Sequence, residues 1–219
     1  MQPGDTGIEV VLFDVGGVIV PPADAGLMGR VADGLGLSSA ALGPLFYEWE
    51  PWYALSTGRI DANAYWAALG ERAGREPGAL RRLVAPVWEP SGVDAGVMDL
   101  AVALSGRVRL AILSNATVDL EGTLRRFGVA RLFDPIINSA RIGLRKPDPA
   151  AFARALDMLG VAPGAVLLVD DKRRNTSVAE ELGIPCVLFD GAPALAAALV
   201  ARGLLPSAGA QAAGAPIKS

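Results

Sequence analysis

Short apolar runs recur along the chain, one near its start and the others in its C-terminal half. Runs that are apolar throughout are typical of strands buried on both faces of a parallel sheet. The runs in the C-terminal half alternate with stretches of helical character, which predicts a doubly wound α/β fold with helices on both faces of the sheet. The predicted strands are residues 8–13, 108–113, 136–137, 166–169 and 186–189. The predicted helices of this half are residues 119–127, one that ends at Leu159, 177–182 and 193–201.

Residues 21–91 differ in pattern and contain no convincing strand. All four tryptophans and all three tyrosines of the chain lie in this segment, and large rings favour a hydrophobic core between helices. Since the segment follows the first strand, it is predicted to be an α-helical cap inserted into a core domain of residues 1–20 and 92–205. Residues 206–219 are rich in Ala, Gly, Ser and Pro and are predicted to be a disordered tail. The helices predicted in the cap are 24–35, 39–55, 61–73 and 77–88.

Composition excludes several kinds of catalyst and partner. The 219 residues include no histidine, which excludes nucleophilic systems with a His base and most zinc sites. The single cysteine, Cys186, is predicted to be a core residue, and its lack of a disulfide partner fits a reducing, cytoplasmic compartment. A net charge of −3 without a basic block predicts no nucleic-acid partner. No signal peptide or bilayer-spanning segment is predicted, so no membrane partner is expected. The sequence leaves open whether the protein is a monomer or a homodimer.

Polar groups of complementary chemistry follow the predicted strands. Asp14 comes directly after the first strand, Ser114 and Asn115 follow the second, and Asp170 and Asp171 end the run Val-Leu-Leu-Val. The carboxyl ends of strands in an open α/β sheet line the crevice in which such proteins bind ligands. We therefore expect these side chains to share one site.

The same residues, with Lys146 from a loop that precedes a helix, are suited to phosphoryl transfer. Asp14 can attack phosphorus and form an aspartyl-phosphate, and Lys146 supplies positive charge against both Asp14 and the phosphate. Asp14 and Asp171 repel each other unless a cation bridges them, and an all-oxygen site favours Mg²⁺. Ser114 and nearby backbone N–H groups can hold phosphate oxygens. Gly16 and Gly17 allow a sharp turn and a close approach to a ligand. Gly17 and Asn115 are also candidate phosphate-binding residues.

Four segments together resemble the haloacid dehalogenase superfamily: Phe-Asp-Val-Gly-Gly-Val, Leu-Ser-Asn-Ala, Arg-Lys-Pro-Asp-Pro-Ala-Ala-Phe and Val-Asp-Asp-Lys-Arg-Arg-Asn. The resemblance covers about residues 8–200. The segment Leu-Ser-Thr-Gly-Arg-Ile-Asp (55–61) is similar to the cap of the branch that contains sugar phosphatases and the N-terminal domain of epoxide hydrolases. This resemblance implies a Rossmann-like core, bound Mg²⁺, an aspartyl-phosphate intermediate and hydrolysis of a phosphate ester.

The resemblance also implies roles for individual residues. Asp14 would be the nucleophile, and Ser114 and Lys146 would bind phosphate. Asn175 would orient the acidic loop. The implied metal ligands are Asp14, Asp171, the carbonyl of Gly16, and Asp170 either directly or through water. Three aromatic residues of the predicted cap are candidates for selecting the leaving group: Trp49, Trp52 and Tyr53.

Gly16 departs from the usual pattern of the family. Phosphatases of the family have a second Asp at this position, which protonates the leaving alcohol and activates the hydrolytic water. A positioned acid and base contributes roughly 10²–10⁴-fold to the rate. Some members of the similar sugar-phosphatase branch have Gly here and are still phosphatases. Water, a group of the substrate, or a cap residue such as Asp61 could replace the missing acid.

The leading hypothesis is a Mg²⁺-dependent phosphatase of a small phosphorylated metabolite, with a sugar phosphate as one candidate. A non-catalytic binding module is an alternative, since the second Asp is missing. A 2-haloacid dehalogenase, in which Asp14 attacks carbon, is another. That branch of the family has Asp-x-Tyr-Gly-Thr, whereas this chain has Gly16 and Val18 at the corresponding places.

Overall fold

The computed structural model describes residues 6–207. Residues 1–5 and most of the predicted disordered tail, from residue 208 onward, lie outside the described residues. Five parallel strands form one sheet with the order β3-β2-β1-β4-β5, which confirms the predicted sheet. The strands are β1 (Val10–Phe13), β2 (Arg109–Ser114), β3 (Ile136–Asn138), β4 (Val166–Asp170) and β5 (Cys186–Leu188).

Eleven α-helices accompany the sheet in the described part of the chain. Five of them lie within residues 21–91: α1 (Ala25–Leu35), α2 (Ser39–Tyr47), α3 (Glu50–Leu55), α4 (Ala62–Ala73) and α5 (Pro77–Trp88). The others are α6 (Ala95–Leu104), α7 (Leu120–Arg126), α8 (Ser139–Ile142), α9 (Pro149–Leu159), α10 (Arg173–Glu181) and α11 (Ala192–Ala201). Two short 3₁₀ turns, Ala130–Leu132 and Pro163–Ala165, precede β3 and β4.

Alternate residues of β1 face opposite sides of the sheet, as the period of a strand requires. Val11 and Phe13 are fully buried in a cluster that also contains residues of α6, α7 and α11. Val10 and Leu12 are buried in a second cluster with residues of α9 and α10. Helices therefore cover both faces of the sheet, and the predicted Rossmann-like, doubly wound architecture is confirmed.

The helical segment, residues 21–91, builds a separate hydrophobic cluster. Tyr65 of α4 lies at its centre and is fully buried, and its hydroxyl donates a hydrogen bond to the carbonyl of Phe46 at 2.9 Å. Asp24 and Asp61 cap the first turns of α1 and α4, because each carboxylate accepts a hydrogen bond from a backbone N–H three residues later. Asp61, a candidate proton donor from the sequence, is thus an exposed helix cap.

Two elements differ from the sequence-based expectation. Residues 39–55 form two helices rather than one, because Trp49 adopts an extended conformation between α2 and α3. Pro51 accounts for this break, since a proline ring inside a continuous helix clashes with the carbonyl four residues earlier and favours the first turn of a new helix. Helix α6 was not predicted, although Asp94 caps it through a hydrogen bond from the N–H of Val97.

The helical segment also touches the sheet domain beside β3. The hydroxyl of Ser139, at the start of α8, donates to the carbonyl of Ser56 and accepts a hydrogen bond from the N–H of Ala116. Gly58 has a φ of 71°, and a Cβ there would collide with the carbonyl of Ala140. The turn after α3 is therefore held against the region that follows β2 and β3.

The burial of Cys186 differs from the expectation based on the sequence. It was predicted to lie in the core, but it is half-buried at the edge of the sheet. Its thiol donates weakly to the carbonyl of Ile184 at 3.3 Å, and burial raises the pKa of this thiol to about 12. Within residues 6–207, no helix combines the length and the apolar character that crossing a bilayer requires.

Candidate active site

The register of the sheet places Asp14 beside Asp170. Phe13 of β1 is paired with Val169 of β4, so the residues that follow them, Asp14 and Asp170, lie next to each other at the carboxyl edge. Both are buried, with 7% and 0% of their surface exposed. Two buried carboxylates need compensating positive charge.

Lys146 provides that charge. Its side chain is buried, with 1% of the residue exposed, and its ammonium nitrogen lies 2.6 Å from Oδ2 of Asp170 and 3.2 Å from Oδ1 of Asp14. Burial alone would lower the pKa of Lys146, but the carboxylates of Asp14 and Asp170 outweigh burial and raise this pKa. Lys146 is therefore a fixed cation at the centre of the site.

Asn115 holds the loop that carries Lys146. Its side-chain amide donates to the carbonyl of Lys146 at 2.7 Å, and its side-chain oxygen accepts from the N–H of Lys146 at 2.8 Å. This pair of hydrogen bonds joins the end of β2 to the loop before α9. The Asn115 side chain is thus occupied by Lys146, whereas its backbone N–H makes no hydrogen bond within the described residues.

The two neighbouring acids, Asp170 and Asp171, have different environments. Both oxygens of Asp170 are engaged, because Asn175 donates to them at 2.9 and 3.0 Å and Lys172 donates its N–H to Oδ1 at 2.9 Å. Asp171 is half-buried, and its Oδ1 is buried without any hydrogen bond. Asp171 therefore has an oxygen available for a cation, whereas Asp170 is held by its protein partners.

The three carboxylates form a compact cluster. One oxygen from each of Asp14, Asp170 and Asp171 lies within 4.8 Å of the others. Burial raises the pKa of Asp14, Lys146 opposes this rise, and the neighbouring charges of Asp170 and Asp171 add to it. This largely buried cluster, in which Oδ1 of Asp171 is unbonded, matches the all-oxygen site that a hard divalent cation prefers.

Gly16 and Gly17 form the turn after β1, and they meet the site differently. Gly17 has a φ of 89°, and a Cβ there would lie 2.5 Å from Oδ2 of Asp171. Its N–H donates to the carbonyl of Val20 at 2.8 Å, so this N–H, a candidate for phosphate binding, already has a partner. Gly16 is exposed, and a Cβ added there would have no atom within 4 Å. The carbonyl of Gly16 accepts no hydrogen bond within the described residues.

Ser114 is the last residue of β2 and is 3% exposed. Its hydroxyl makes no hydrogen bond within residues 6–207, unlike that of Ser139. A buried hydroxyl without a partner is available to a ligand. Ser114 and the backbone N–H of Asn115 thus offer two donors at the carboxyl edge of β2.

The three aromatic candidates of the helical segment have different surroundings. Trp52 packs in the aromatic cluster against Tyr47, with ring centroids 5.0 Å apart. Trp49 lies under the guanidinium of Arg72 at 4.8 Å. Tyr53 instead contacts the sheet domain, since the guanidinium of Arg145 lies 4.2 Å from the centre of its ring.

Two residues of the site were not singled out from the sequence. Lys172 has its ammonium nitrogen 2.7 Å from Oδ2 of Asp171, so it compensates the acid that Lys146 does not reach. Arg145 precedes Lys146 and contacts Tyr53. Their positions in charged loop sequences gave no signal of these contacts, because a run of basic residues is usually solvated.

Comparison with known proteins relates this geometry to a family. The family model of haloacid dehalogenase-like hydrolases matches residues 8–183. Among curated proteins, a phosphoserine phosphatase of Thermus thermophilus is 31% identical over 156 residues, which are 64% of this chain and 62% of the relative. The chain thus spans less than two thirds of that relative's length.

Solved structures share the fold. A HAD family enzyme from Bacteroides thetaiotaomicron, in complex with magnesium and inorganic phosphate, has a TM-score of 0.68 and 20% identity, and the match covers 84% of this chain and 94% of that chain. An L-2-haloacid dehalogenase from Xanthobacter autotrophicus has a TM-score of 0.58 and 22% identity, with coverage of 91% and 85%. At such identities the likeness concerns the fold alone. The family model, which covers most of the chain, establishes that this protein belongs to the haloacid dehalogenase-like hydrolases.

Proposed function

We propose that the protein is a Mg²⁺-dependent phosphatase of a small phosphorylated metabolite and that Asp14 is its nucleophile. The observation that carries the proposal is the contact of buried Lys146 with both Asp14 and Asp170, next to an acidic cluster in which Asp171 has an unbonded oxygen. The phosphoserine phosphatase of Thermus thermophilus, one of several phosphatases among the curated relatives, supports the same reaction class.

The chain's own residues suit attack on phosphorus. Oδ1 of Asp14 accepts a hydrogen bond from the N–H of Val15 at 2.7 Å and faces Lys146. Oδ2 has no hydrogen bond within the described residues, so this oxygen is free to form the bond to phosphorus. As that bond forms, the ester P–O bond breaks and the leaving oxygen takes a proton from water. Water then attacks the aspartyl-phosphate, which releases inorganic phosphate and restores the carboxylate.

The remaining groups hold the phosphate and the cation. Ser114 and the N–H of Asn115 would donate to phosphate oxygens, and Lys146 would compensate their charge. The cation ligands would be Asp14, Asp171 and the carbonyl of Gly16, with Asp170 keeping Lys146 and the following loop in place. Bound Mg²⁺ supplies charge neutralisation between the attacking carboxylate and the phosphate.

The helical segment, residues 21–91, would act as a cap over this site, with residues 6–20 and 92–205 as the described part of the core. Its separate hydrophobic cluster supports such a division. Tyr53 would face the leaving group more directly than Trp49 and Trp52, because it alone of the three contacts the loop of Lys146.

Metal removal gives the direct test of this function. The purified protein should release phosphate from p-nitrophenyl phosphate in the presence of Mg²⁺, lose the activity in excess EDTA, and regain it when Mg²⁺ is restored. Mg²⁺ should also raise the melting temperature, since a ligand present at about 100 times its Kd stabilises the folded state by about 2.7 kcal/mol. Phosphate release that EDTA leaves unchanged would contradict the proposal.

The same assays separate the two alternatives. A non-catalytic module would gain melting temperature from Mg²⁺ yet release no phosphate from any ester. A dehalogenase would release halide from 2-chloropropionate without added metal. The unbonded Oδ1 of Asp171 favours the metal-dependent reaction over the dehalogenase.

Replacing Gly17 by Ala should raise the Mg²⁺ concentration needed for half-maximal activity by about tenfold or more. The new Cβ would lie 2.5 Å from the carboxylate of Asp171 at a backbone φ of 89°, so the acid must move, and a loss of about 1.4 kcal/mol is tenfold in affinity. Titration of activity with Mg²⁺ measures the change.

Gly106→Ala is the matched control for this variant. Gly106 has a similar φ of 83°, and a Cβ there has no atom within 4 Å. This variant introduces the same backbone strain, of about 1–3 kcal/mol, in the turn before β2, remote from the acids. An equal rise in the Mg²⁺ requirement of both variants would mean that strain, rather than displacement of Asp171, is responsible.

A further inference from the structure

Arg145 is a half-buried cation without an anionic partner among the described residues. Its Nε is buried and makes no hydrogen bond, and no carboxylate within residues 6–207 forms an ion pair with it. Its guanidinium packs on the ring of Tyr53. Burial lowers the pKa of Arg145, Tyr53 opposes this effect, and the nearby charge of Arg174 lowers the pKa further. A half-buried guanidinium without an anionic partner loses part of its hydration, and a bound anion would compensate this loss.

Arg174 is a second unpaired cation of the same region. It lies on α10, is exposed, and forms no ion pair within the described residues. The two arginines are chain neighbours of Lys146 and Asn175, and both of these residues bind the carboxylate of Asp170. The charge of Arg174 acts on Arg145, so the two arginines lie near each other, close in sequence to residues that bind Asp170.

We propose that Arg145, with Arg174, binds a second oxyanion on the leaving group of the substrate, so that the preferred substrates are phosphate esters that also carry a carboxylate or a second phosphate. This inference rests on the proposed function and names its substrate class. A guanidinium offers a planar pair of N–H donors that matches the two oxygens of a carboxylate or a phosphate. The reacting phosphate itself is already provided with Lys146, Ser114 and the cation. The ring of Tyr53 packs against the Arg145 guanidinium at 4.2 Å.

Binding of non-hydrolysable phosphonates tests this inference without turnover. The affinity of the Mg²⁺-loaded protein is measured by calorimetry for propylphosphonate, 3-phosphonopropionate and ethane-1,2-bisphosphonate. The first ligand has one anionic group, the second adds a carboxylate, and the third adds another phosphono group. At least one of the two ligands with two anionic groups should bind at least about tenfold more tightly than propylphosphonate, as expected for a charge-assisted hydrogen-bonded pair. The tighter of the two shows whether the second oxyanion is a carboxylate or a phosphono group.

Arg145→Gln should reduce this preference to about onefold and leave the affinity for propylphosphonate nearly unchanged. Arg174→Gln is the second variant, and because Arg174 is exposed its loss does not threaten folding; it should reduce the preference severalfold. Arg154→Gln is the matched control, since Arg154 is exposed on α9 and has no side-chain hydrogen bond or ion pair within the described residues, and it should retain the preference.

Three outcomes would overturn the inference. Equal affinity of the unmodified protein for all three phosphonates would show that there is no second-oxyanion site, and it would leave the phosphatase proposal intact. If Arg145→Gln weakened the binding of every ligand equally, Arg145 would have only a structural role, in packing Tyr53 against the loop of Lys146. Absence of binding by all three would overturn the phosphate site together with the inference.

Discussion

Asp14→Asn is expected to abolish phosphate release while the protein stays folded. The substitution removes the oxygen that would bond to phosphorus, and the loss of a nucleophile lowers turnover by a factor of about 10⁴ or more. Lys146 keeps its partner Asp170 at 2.6 Å, so the buried ammonium is not left unpaired. Initial rates on p-nitrophenyl phosphate with saturating Mg²⁺ measure the loss.

The same variant should be more stable than the unmodified protein when metal is absent. Burial raises the pKa of Asp14 above its ordinary value of 3.8, more than Lys146 lowers it. As the pH rises from 3.8 towards the pKa of the folded state, the unfolded chain loses its proton first, so the folded protein loses stability. This destabilisation is complete above the pKa of the folded state, and the neutral Asn does not experience it.

Thermal unfolding in EDTA measures this second effect. The melting temperature of Asp14→Asn should exceed that of the unmodified protein at neutral pH, and the difference should shrink as the pH is lowered towards 3.8. Added Mg²⁺ should reverse the order, because the unmodified protein has one more ligand for the cation. Retained phosphate release by this variant would refute the aspartyl nucleophile whatever its stability.

Gly16→Asp is expected to accelerate the hydrolysis of alkyl phosphates by about 10²–10⁴-fold. The position is exposed, no atom lies within 4 Å of an added Cβ, and its φ is not in the left-handed region. An Asp therefore fits two residues after Asp14 without moving the site. There it could give a proton to the leaving oxygen and later take one from the attacking water.

The choice of substrate makes this second test specific. An alkoxide leaving group needs a proton, whereas p-nitrophenolate leaves without one, so the gain should be much smaller on p-nitrophenyl phosphate. Gly16→Asn has the same shape as Gly16→Asp but no titrating group, and it should show no gain on either substrate. Equal rates for Gly16→Asp and Gly16→Asn would mean that no proton transfer limits the reaction.

The sequence predicted the edge of the sheet at which the acids meet, because buried parallel strands are apolar throughout and end abruptly. Phe13 and Val169 close two such runs, and the carboxylates that follow them lie side by side. The five-stranded parallel sheet confirms the predicted fold, and the family model confirms the family. The catalytic and metal-binding roles of Asp14, Lys146 and Asp171 stay predictions until the variants are measured.

Other features could not be predicted from one sequence. The pattern of hydrophobic residues gives the period of a helix but not the conformation of Trp49, which interrupts residues 39–55. Asn115 was expected to bind phosphate, and its side chain is engaged with Lys146, 31 residues later in the chain. Such long-range pairs depend on how loops pack, as does the burial of Arg145 without a carboxylate partner among the described residues.

The bond between the Ser139 hydroxyl and the Ser56 carbonyl restricts how substrates reach the site. The helical segment joins the rest of the protein through two connections, before α1 and after α5, and a body attached at two points can rotate about the line between them. This bond adds a third point of attachment. A swinging motion of the whole segment must therefore first break it. Exchange of substrate and product without that rupture has to proceed through local movement of helix α3, which carries Tyr53, and of the loop that carries Arg145.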